Sequence, residues 1–335
     1  MKFTDEIVNF ILGKQKLRST SKHVVRLSLL DWCAVAWSGQ NEPVAIFLQQ
    51  LADEEAGANQ SFAFGVRSKV PARMAAFVNG ATSHALDYDD THFSSLGHPS
   101  VTVFPAILAL ADQHLLSMKE VTNAALFGAE VAIRTGVWLG RSHYRAGFHV
   151  TGTAGTFGAV AGCARLMKLN PSQTRMAISF AASRAAGLKA QFGTMGKPVH
   201  AGISASSGVE AVILAKKGFI AAPDGFDGPQ GFVATHQGEQ NPIALEGLGK
   251  VFLFEQVSHK FHACCHGTHA MIEAIKMAAS DAIIRPENVE KIEITVHPQY
   301  LDICNLKAPK TGLEAKFSFS LIASAVLHGI DTGRL

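Results

Sequence analysis

The segment from His84 to Ser100 concentrates the side chains best suited to moving protons. Its sequence, HALDYDDTHFSSLGHPS, holds three aspartates and three histidines between apolar helical stretches. Buried carboxylates beside imidazoles need polar partners, and such pairs are typical of acid–base catalysis. A spacing of three predicts that His84 and Asp87 share one helix face. We therefore expect an active site around Asp87 and His98, with a solvated loop and a metal site as alternatives.

The metal alternative requires ligands that the sequence does not supply elsewhere. Clusters of Asp and His bind Mg²⁺, Mn²⁺ or Zn²⁺ in many enzymes, and neighbouring aspartates on helices resemble the diphosphate–Mg²⁺ sites of terpenoid synthases. Those sites need a second acidic motif on a facing helix, and no matching run follows downstream. Residues 259–269 (HKFHACCHGTH) are rich in His and Cys but lack a CxxC or HExxH frame. We expect no metal ion.

Two later segments add candidates for binding an anion. Residues 143–158 place His149 beside Thr151 and Gly152, where small residues let a ligand or a helix approach the backbone closely. This segment is not a phosphate loop, because no GK[ST] sequence follows it. Lys197 lies between Gly196 and Pro198, which makes it a candidate anchor for a carboxylate. The structural alternatives are a core histidine and a surface lysine.

The elements that position these residues are predicted to be mainly helical. Only residues 289–297 (VEKIEITVH) alternate apolar and polar side chains, which predicts a strand. The fold expected is a large all-helical domain over residues 1–265, followed at 266–335 by the beginning of a smaller α+β lid domain whose C-terminal part is expected to be absent. Helical patterns are predicted at 1–15, 21–38 with Ser21 as N-cap, 70–87 with Pro71 in the first turn, from 99 onward, and at 119–140, 147–167, 171–188, 204–217 and 316–327.

Composition narrows the classes of function. The 335 residues are 47% hydrophobic and 17% charged, with a formal net charge of +3, so a large core can form. No cluster of Lys and Arg is evident in the sequence, so we expect no nucleic-acid partner. No run of about 20 uncharged apolar residues occurs, so we expect no membrane span. Five cysteines without framework spacing indicate reduced thiols, which favours the cytoplasm.

An ordered series of motifs resembles the MmgE/PrpD family. The motifs are AAFVNGATSHALDYDDTH with GHPS, GFHVTGTAGTFGA, FGTMGKPVHAG with GVEAVILAKKGF, CCHGTHAMIEA, and AKFSFS. Members include 2-methylcitrate dehydratase, cis-aconitate decarboxylase and iminodisuccinate epimerase. The resemblance implies a homodimer that needs no metal or organic cofactor. It also implies a pocket between the two domains for a small di- or tricarboxylate.

The resemblance also implies which residues form the site. The catalytic candidates are Asp87, His98, His149 and His269, with Asp87 expected to orient an imidazole. Three further residues, Thr91, Lys197 and Thr151, are expected to bind the substrate. Cys264 or Cys265 lies near the place where decarboxylases of the family carry another histidine.

The chemistry expected is proton abstraction or delivery beside a carboxylate. A cofactor-independent lyase, either a dehydratase or a decarboxylase, is the first interpretation, and an epimerase of an iminodisuccinate-like acid is the second. Leu321 stands where dehydratases and decarboxylases of the family carry a tyrosine, and the lysine loop is similar to that of the epimerase branch. A non-catalytic carboxylate-binding protein is the alternative from another class.

Overall fold

The computed structural model describes residues 2–281 and 284–334, and these ranges are predominantly helical, as predicted. Pairing between extended segments of the described chain is limited to isolated bridges, such as Thr91 with Ser258. None of the helices within these ranges combines the length and apolarity that a bilayer span requires. The α-helices are α1 (Phe3–Leu12), α2 (Ser19–Gly39), α3 (Pro43–Glu55), α4 (Ala72–His84), α5 (Ser100–His114), α6 (Met118–Arg145), α7 (Val150–Leu166), α8 (Pro171–Ala181), α9 (Gly196–Lys216), α10 (Phe232–Thr235), α11 (His269–Asp281), α12 (Pro298–Leu301), α13 (Gly312–Ala315) and α14 (Phe319–Leu327).

The main core is formed by α4, α5, α6, α7 and α9, which pack closely on one another. Small residues make this packing possible, since α7 is almost entirely buried and is composed largely of Gly, Ala and Thr. A Cβ atom on Gly80 of α4 would lie 2.8 Å from the Cα of Gly202 in α9. The two backbones therefore touch, and a larger residue at either position would force these helices apart.

A second, smaller hydrophobic cluster follows the main core in sequence. It joins α11 and α14 through Met271, Ile272, Phe319 and Ile322, with Cys304 beside them. The buried residues of the large cluster end at Phe254, and those of the second cluster begin at Cys264. The predicted domain boundary at residue 265 stays a prediction.

Several predicted helix boundaries are wrong. Helix α2 begins at Ser19, and Ser21 is a buried residue of its first turn that bonds Glu255 rather than an N-cap. Pro71 lies just before α4 instead of inside it. Helix α8 ends at Ala181 rather than 188, and α9 begins at 196 rather than 204. Lys197 thus lies in the first turn of α9, where Pro198 is tolerated because first-turn N–H groups have no helical partner.

The predicted strand at 289–297 is also wrong. These residues form no regular secondary structure and pair with no other described segment. Their alternation reflects burial instead, because Ile294 and Val296 pack against the second cluster while Glu293, Thr295 and His297 are exposed. Alternating burial alone does not make a strand, which also requires a hydrogen-bonded neighbour.

Candidate active site

A cavity of about 410 Å³ brings the predicted segments together. It lies among the 87–98 loop, the C-terminal end of α6, the residue before α7, the start of α9, and two later segments around 260–267 and 297–303. Its volume suits a small-molecule ligand. The lining residues are Asp87, Thr91, His92, Phe93, Leu96, Gly97, His98, Arg141, Tyr144, His149, Phe192, Lys197, Lys260, Cys265, His266, Gly267, His297, Gln299, Tyr300, Ile303 and Phe317.

Asp87 is the centre of a buried charge cluster. Its Oδ1 lies 2.7 Å from Nζ of Lys197 and 3.0 Å from Nζ of Lys260. Burial alone would raise the pKa of this carboxyl, but the two ammonium groups hold the pKa well below its usual range. One carboxylate and two ammonium groups leave an excess positive charge at the cavity wall, and Arg141 adds another cation. The wall is therefore suited to binding an anion.

Lys260 is fixed by more than Asp87. Its ammonium group also donates to the backbone oxygens of Asp87, at 2.6 Å, and of Cys264, at 3.0 Å. Burial would lower the pKa of this ammonium group, but Asp87 and then Asp89 keep the pKa above its usual value. Lys260 is therefore a rigid, permanently charged part of the wall.

Asp89 orients two imidazoles behind the wall. Its carboxylate accepts from Nδ1 of His84 at 2.9 Å and lies 2.8 Å from Nδ1 of His98, although the latter contact is not aligned as a regular hydrogen bond. Burial would raise the pKa of Asp89, but the two histidines hold it well below its usual range. An ionised carboxylate beside Nδ1 favours a proton on that nitrogen, which leaves Nε2 of His98 as the proton acceptor.

The protonation of the histidines follows from their burial. Burial, opposed by Asp89, lowers the pKa of His98, and burial together with Lys197 lowers the pKa of His149 well below its usual value. Burial and Asp89 act oppositely on His84, whose pKa falls to about 4. His149 and His200 share a contact of 3.0 Å between their Nδ1 atoms, so one nitrogen donates and the other accepts. At neutral pH these imidazoles are uncharged.

Backbone geometry positions the loop that carries His98. Asp90 accepts from the backbone N–H of Ser100 at 3.2 Å and from its hydroxyl, so this carboxylate caps the start of α5. His92 and Gly97 close the loop between them through a backbone bridge. Gly152 of α7 lies so close to the oxygen of Ala186 that a Cβ would be 2.3 Å from it. Only glycine lets the start of α7 approach this segment.

Five of the seven predicted site residues line the cavity. They are Asp87, Thr91, His98, His149 and Lys197.

Thr151 and His269 lie elsewhere. Thr151 accepts from the backbone N–H of His98 at 3.1 Å, so it holds the loop rather than facing the cavity. His269 lies behind His266, with the two rings 4.4 Å apart. The backbone N–H of Gly152 donates to the backbone oxygen of His149 within the first turn of α7.

Two predicted geometries are wrong. His84 and Asp87 do not share a helix face, because α4 ends at His84 and Asp87 adopts a left-handed conformation with φ 50°. Asp87 does not orient an imidazole by hydrogen bonding, since its Oδ1 binds the two lysines and lies 3.9 Å from Nε2 of His98. Asp89 holds the imidazoles instead.

Other residues of the site were not singled out from sequence. Lys260 and His266 both lie in the HKFHACCHGTH segment, from which the sequence predicted only His269 and one of the two cysteines to be near the site. His266 contacts the Thr91 hydroxyl at 2.6 Å, and burial followed by Lys260 lowers the pKa of His266 to about 4. A lysine inside an otherwise apolar, histidine-rich segment was the available signal. Arg141 had no such signal, because a helical arginine is ordinarily a surface residue.

The cysteine pair separates into two roles. Cys265 lines the cavity, whereas Cys264 is buried beside the hydroxyl of Thr268 at 3.1 Å. Leu321, which stands where a tyrosine was expected, lies on α14 and is 43% exposed, outside the cavity lining.

Four potential metal ligands cluster in the site. One ligand atom from each of His84, Asp87, Asp89 and His98 lies within 4.8 Å of the others. The surrounding charges argue against a cation here, because two ammonium groups already neutralise Asp87. Asp89 likewise already contacts two imidazoles. A divalent ion in this cluster would lie close to the two ammonium groups at Asp87, which opposes its binding.

Comparison with known proteins places both parts of the chain in one family. The model of the MmgE/PrpD N-terminal domain matches residues 6–243, and that of the MmgE/PrpD C-terminal domain matches residues 262–332. The chain is 29% identical to a cis-aconitate decarboxylase of Homo sapiens, over 77% of this chain and 56% of that protein. Similar relatives are the cis-aconitate decarboxylases of Aspergillus terreus (29% identical, 82% of this chain, 57% of the relative) and Mus musculus (26%, 97%, 69%). The chain thus spans just over half the length of the human and fungal relatives.

Proposed function

Because the chain belongs to the MmgE/PrpD family, we propose that it is a cofactor-independent lyase acting on a small di- or tricarboxylic acid. The observation that carries the proposal is the presence, in one cavity, of cations, of which Lys197 and Lys260 are buried and paired, together with neutral imidazoles. Lys197, Lys260 and Arg141 line the same space as His98 and His149. Cations can bind carboxylates, and a neutral imidazole can take up a proton.

The proposed reaction begins at the carbon beside a carboxylate. Nε2 of His98 removes a proton, and the electron pair left on carbon spreads into the adjacent carboxylate as an enolate. Lys197 and Lys260 stabilise that developing charge, since fixed cations in a desolvated site act most strongly where charge forms. In a dehydratase, a β-hydroxyl then leaves as water with the proton returned from a protonated side chain. Asp89 stabilises the imidazolium that forms on His98.

Decarboxylation would use the same site in another order. The bond to a carboxylate carbon breaks, CO₂ leaves, and the electron pair stays on the neighbouring carbon, again stabilised by the lysines. A protonated side chain must then deliver a proton to that carbon. Relatives named cis-aconitate decarboxylase make cis-aconitate the first acid to test.

An epimerase of an iminodisuccinate-like dicarboxylate is the second candidate. It is supported by the presence of two neutral imidazoles, His98 and His149, on the same cavity. One could remove a proton while the other, once protonated, returns a proton to the opposite face of the carbon. No bond other than C–H would break.

A substrate screen distinguishes these reactions. The protein is incubated with cis-aconitate, 2-methylcitrate, citrate and amino- or iminodicarboxylates, and each acid is followed by NMR. We expect loss of CO₂ or of water from one acid. Inversion at carbon without loss would favour the epimerase, and binding without any chemical change would contradict both and leave a carboxylate-binding protein.

We also propose that the protein forms a homodimer. The proposal is supported by large apolar side chains that α2 and α3 expose, namely Leu30 at 67%, Trp37 at 68% and Phe47 at 57%. Such a patch is typical of an interface. Light scattering should give twice the mass of one chain, and Trp37→Glu should reduce it towards one.

A further inference from the structure

A second and larger recess, of about 840 Å³, lies at the opposite end of α6 and α7 from the candidate active site. It shares no lining residue with the catalytic cavity. His149 precedes α7 and Leu166 ends it, so about 25 Å of helix separates the two sites. We call this recess the basic groove. Its lining residues are Ile11, Leu12, Gly13, Lys14, Leu17, Lys22, Val25, Arg26, Lys119, Glu120, Thr122, Asn123, Ala124, Leu126, Arg165, Leu166, Lys168 and Leu169.

The charge of the basic groove is unusual for this protein. Six of its lining residues are Lys or Arg and one is acidic, which gives an excess of five positive charges. The whole chain carries only +3. The cations are drawn from the segment after α1 and from α2, α6 and the end of α7, so no run of them stands out in the sequence. The fold concentrates positive charge here.

Most of these cations have no partner within the protein. Among the described residues, the side chains of Lys14, Lys22, Arg26 and Lys119 make no ion pair or hydrogen bond. Arg165 is different, because it bonds Asn123 and the backbone oxygens of Ile11 and Gly13, and so shapes the groove. Four unpaired cations around one recess repel one another, and an anion bound between them would relieve that repulsion.

The floor of the basic groove is apolar. Leu12 and Leu17 are half-buried and expose apolar surface to the groove, whereas Val25, Leu126 and Leu166 are buried and expose almost none. Cations around an apolar floor match a ligand that has several negative charges and an apolar or aromatic part. The volume lies in the range of sites for such small molecules.

We propose that the basic groove binds a phosphorylated small molecule of nucleotide or coenzyme size. Several separated cations suit a chain of phosphates better than a single carboxylate, because each phosphate adds charge and acceptor oxygens. The base or other apolar part lies on the leucine floor. The proposal is independent of the reaction catalysed in the other cavity.

Calorimetric titration of the full chain tests the proposal with three small probes, ATP, coenzyme A and inorganic pyrophosphate, and with a DNA duplex for comparison. We expect saturable binding of ATP or coenzyme A, weaker binding of pyrophosphate, and a loss of affinity as salt is added. Equal binding of all three probes would overturn the proposal, since the apolar floor would then be unused. No saturable binding, or tighter binding of a DNA duplex than of ATP, would also overturn it.

A pair of matched variants locates the site. Lys22→Glu with Arg26→Glu reverses two charges in the groove, whereas Lys216→Glu with Lys217→Glu reverses two exposed charges at the end of α9, outside it. We expect the first variant to weaken binding by about tenfold or more and the second by less than about threefold. Equal losses would mean that only the net charge matters and would overturn the assignment. Circular dichroism checks that both variants fold.

Discussion

Two recesses of this protein use lysine in opposite ways. In the candidate active site, Lys197 and Lys260 are buried, and both contact one oxygen of Asp87 within about 3 Å. In the basic groove, Lys22 and Lys119 are exposed and unpaired among the described residues. Buried, paired cations have a fixed position and set the protonation of their neighbours, which chemistry requires. Exposed cations attract an anion through their combined electrostatic potential, which does not require each of them to have a fixed position.

Removing one lysine from each recess should give the largest difference between them, in kcat/KM. Lys197→Ala should reduce kcat/KM by about 10²- to 10³-fold, because a fixed charge opposite the developing enolate is lost. Lys22→Ala should leave kcat/KM within about twofold. Steady-state kinetics on the substrate identified by the screen gives both values. Similar losses in the two variants would break the distinction.

Stability should show the same contrast. Lys260→Met leaves Asp87 paired with Lys197 but removes a buried ammonium group that donates to Asp87 Oδ1 and to two backbone oxygens, and it should lower the free energy of unfolding by about 3 kcal/mol. Lys22→Met, at an exposed position without a partner, should change it by less than about 0.5 kcal/mol. Urea denaturation of both variants measures the difference. An equally small effect in Lys260→Met would show that its ion pair does not stabilise the fold.

Acid should destabilise the protein through its buried histidines. Burial, mainly, lowers the folded-state pKa of His84, His143 and His266 to about 4, below the unfolded value of 6.5. The unfolded chain therefore binds more protons between these values. Their contribution is fully present above about pH 6.5 and is lost as the pH falls towards 4, by several kcal/mol in total as an order of magnitude.

Asp87 acts in a lower window, because its pKa is depressed from 3.8. Its contribution persists above about pH 4 and is lost only as the pH falls further. Urea denaturation at several pH values between 7 and 4 follows the histidine window, in which the raised pKa values of Asp90 (about 6) and Asp31 (about 8) act in the opposite sense. The histidine part is isolated by comparison with His143→Gln, and identical pH profiles for the two proteins would contradict the assignment of a neutral, buried imidazole.

Salt should have the smallest effect and should separate the recesses. Added salt screens exposed charges over about 10 Å and buried pairs much less. The affinity of the basic groove for ATP or pyrophosphate should fall several-fold as salt rises. The loss of unfolding free energy caused by Lys260→Met should be the same at both salt concentrations. Calorimetry of the groove and denaturation of Lys260→Met, each at two salt concentrations, test this. Equal sensitivity would remove the contrast.

Features that depend on local sequence patterns could be predicted, whereas contacts between residues far apart in the sequence could not. The helical fold and the cavity positions of Asp87, Thr91, His98, His149 and Lys197 were foreseen, because apolar periodicity and ordered motifs are local features. The hydrogen-bond and ion-pair partners of these residues were not predicted, because they depend on the direction that the backbone takes in the folded chain.

Two examples show why. A positive φ at Asp87 turns its carboxylate towards two lysines 110 and 173 residues away. Asp89 was not singled out among the three aspartates, because nothing in the sequence shows which of them faces the imidazoles. The basic groove likewise joins cations from four segments.

The central claim is that His98 moves a proton at a carbon beside a carboxylate. Solvent deuterium incorporation tests it most directly, measured by NMR on the identified acid in D₂O with the parent protein and His98→Gln. The parent should place deuterium at that carbon, and His98→Gln should slow incorporation by about 10²- to 10⁴-fold while circular dichroism shows an intact fold. Incorporation at the parental rate in His98→Gln, or none in the parent protein, would contradict the claim.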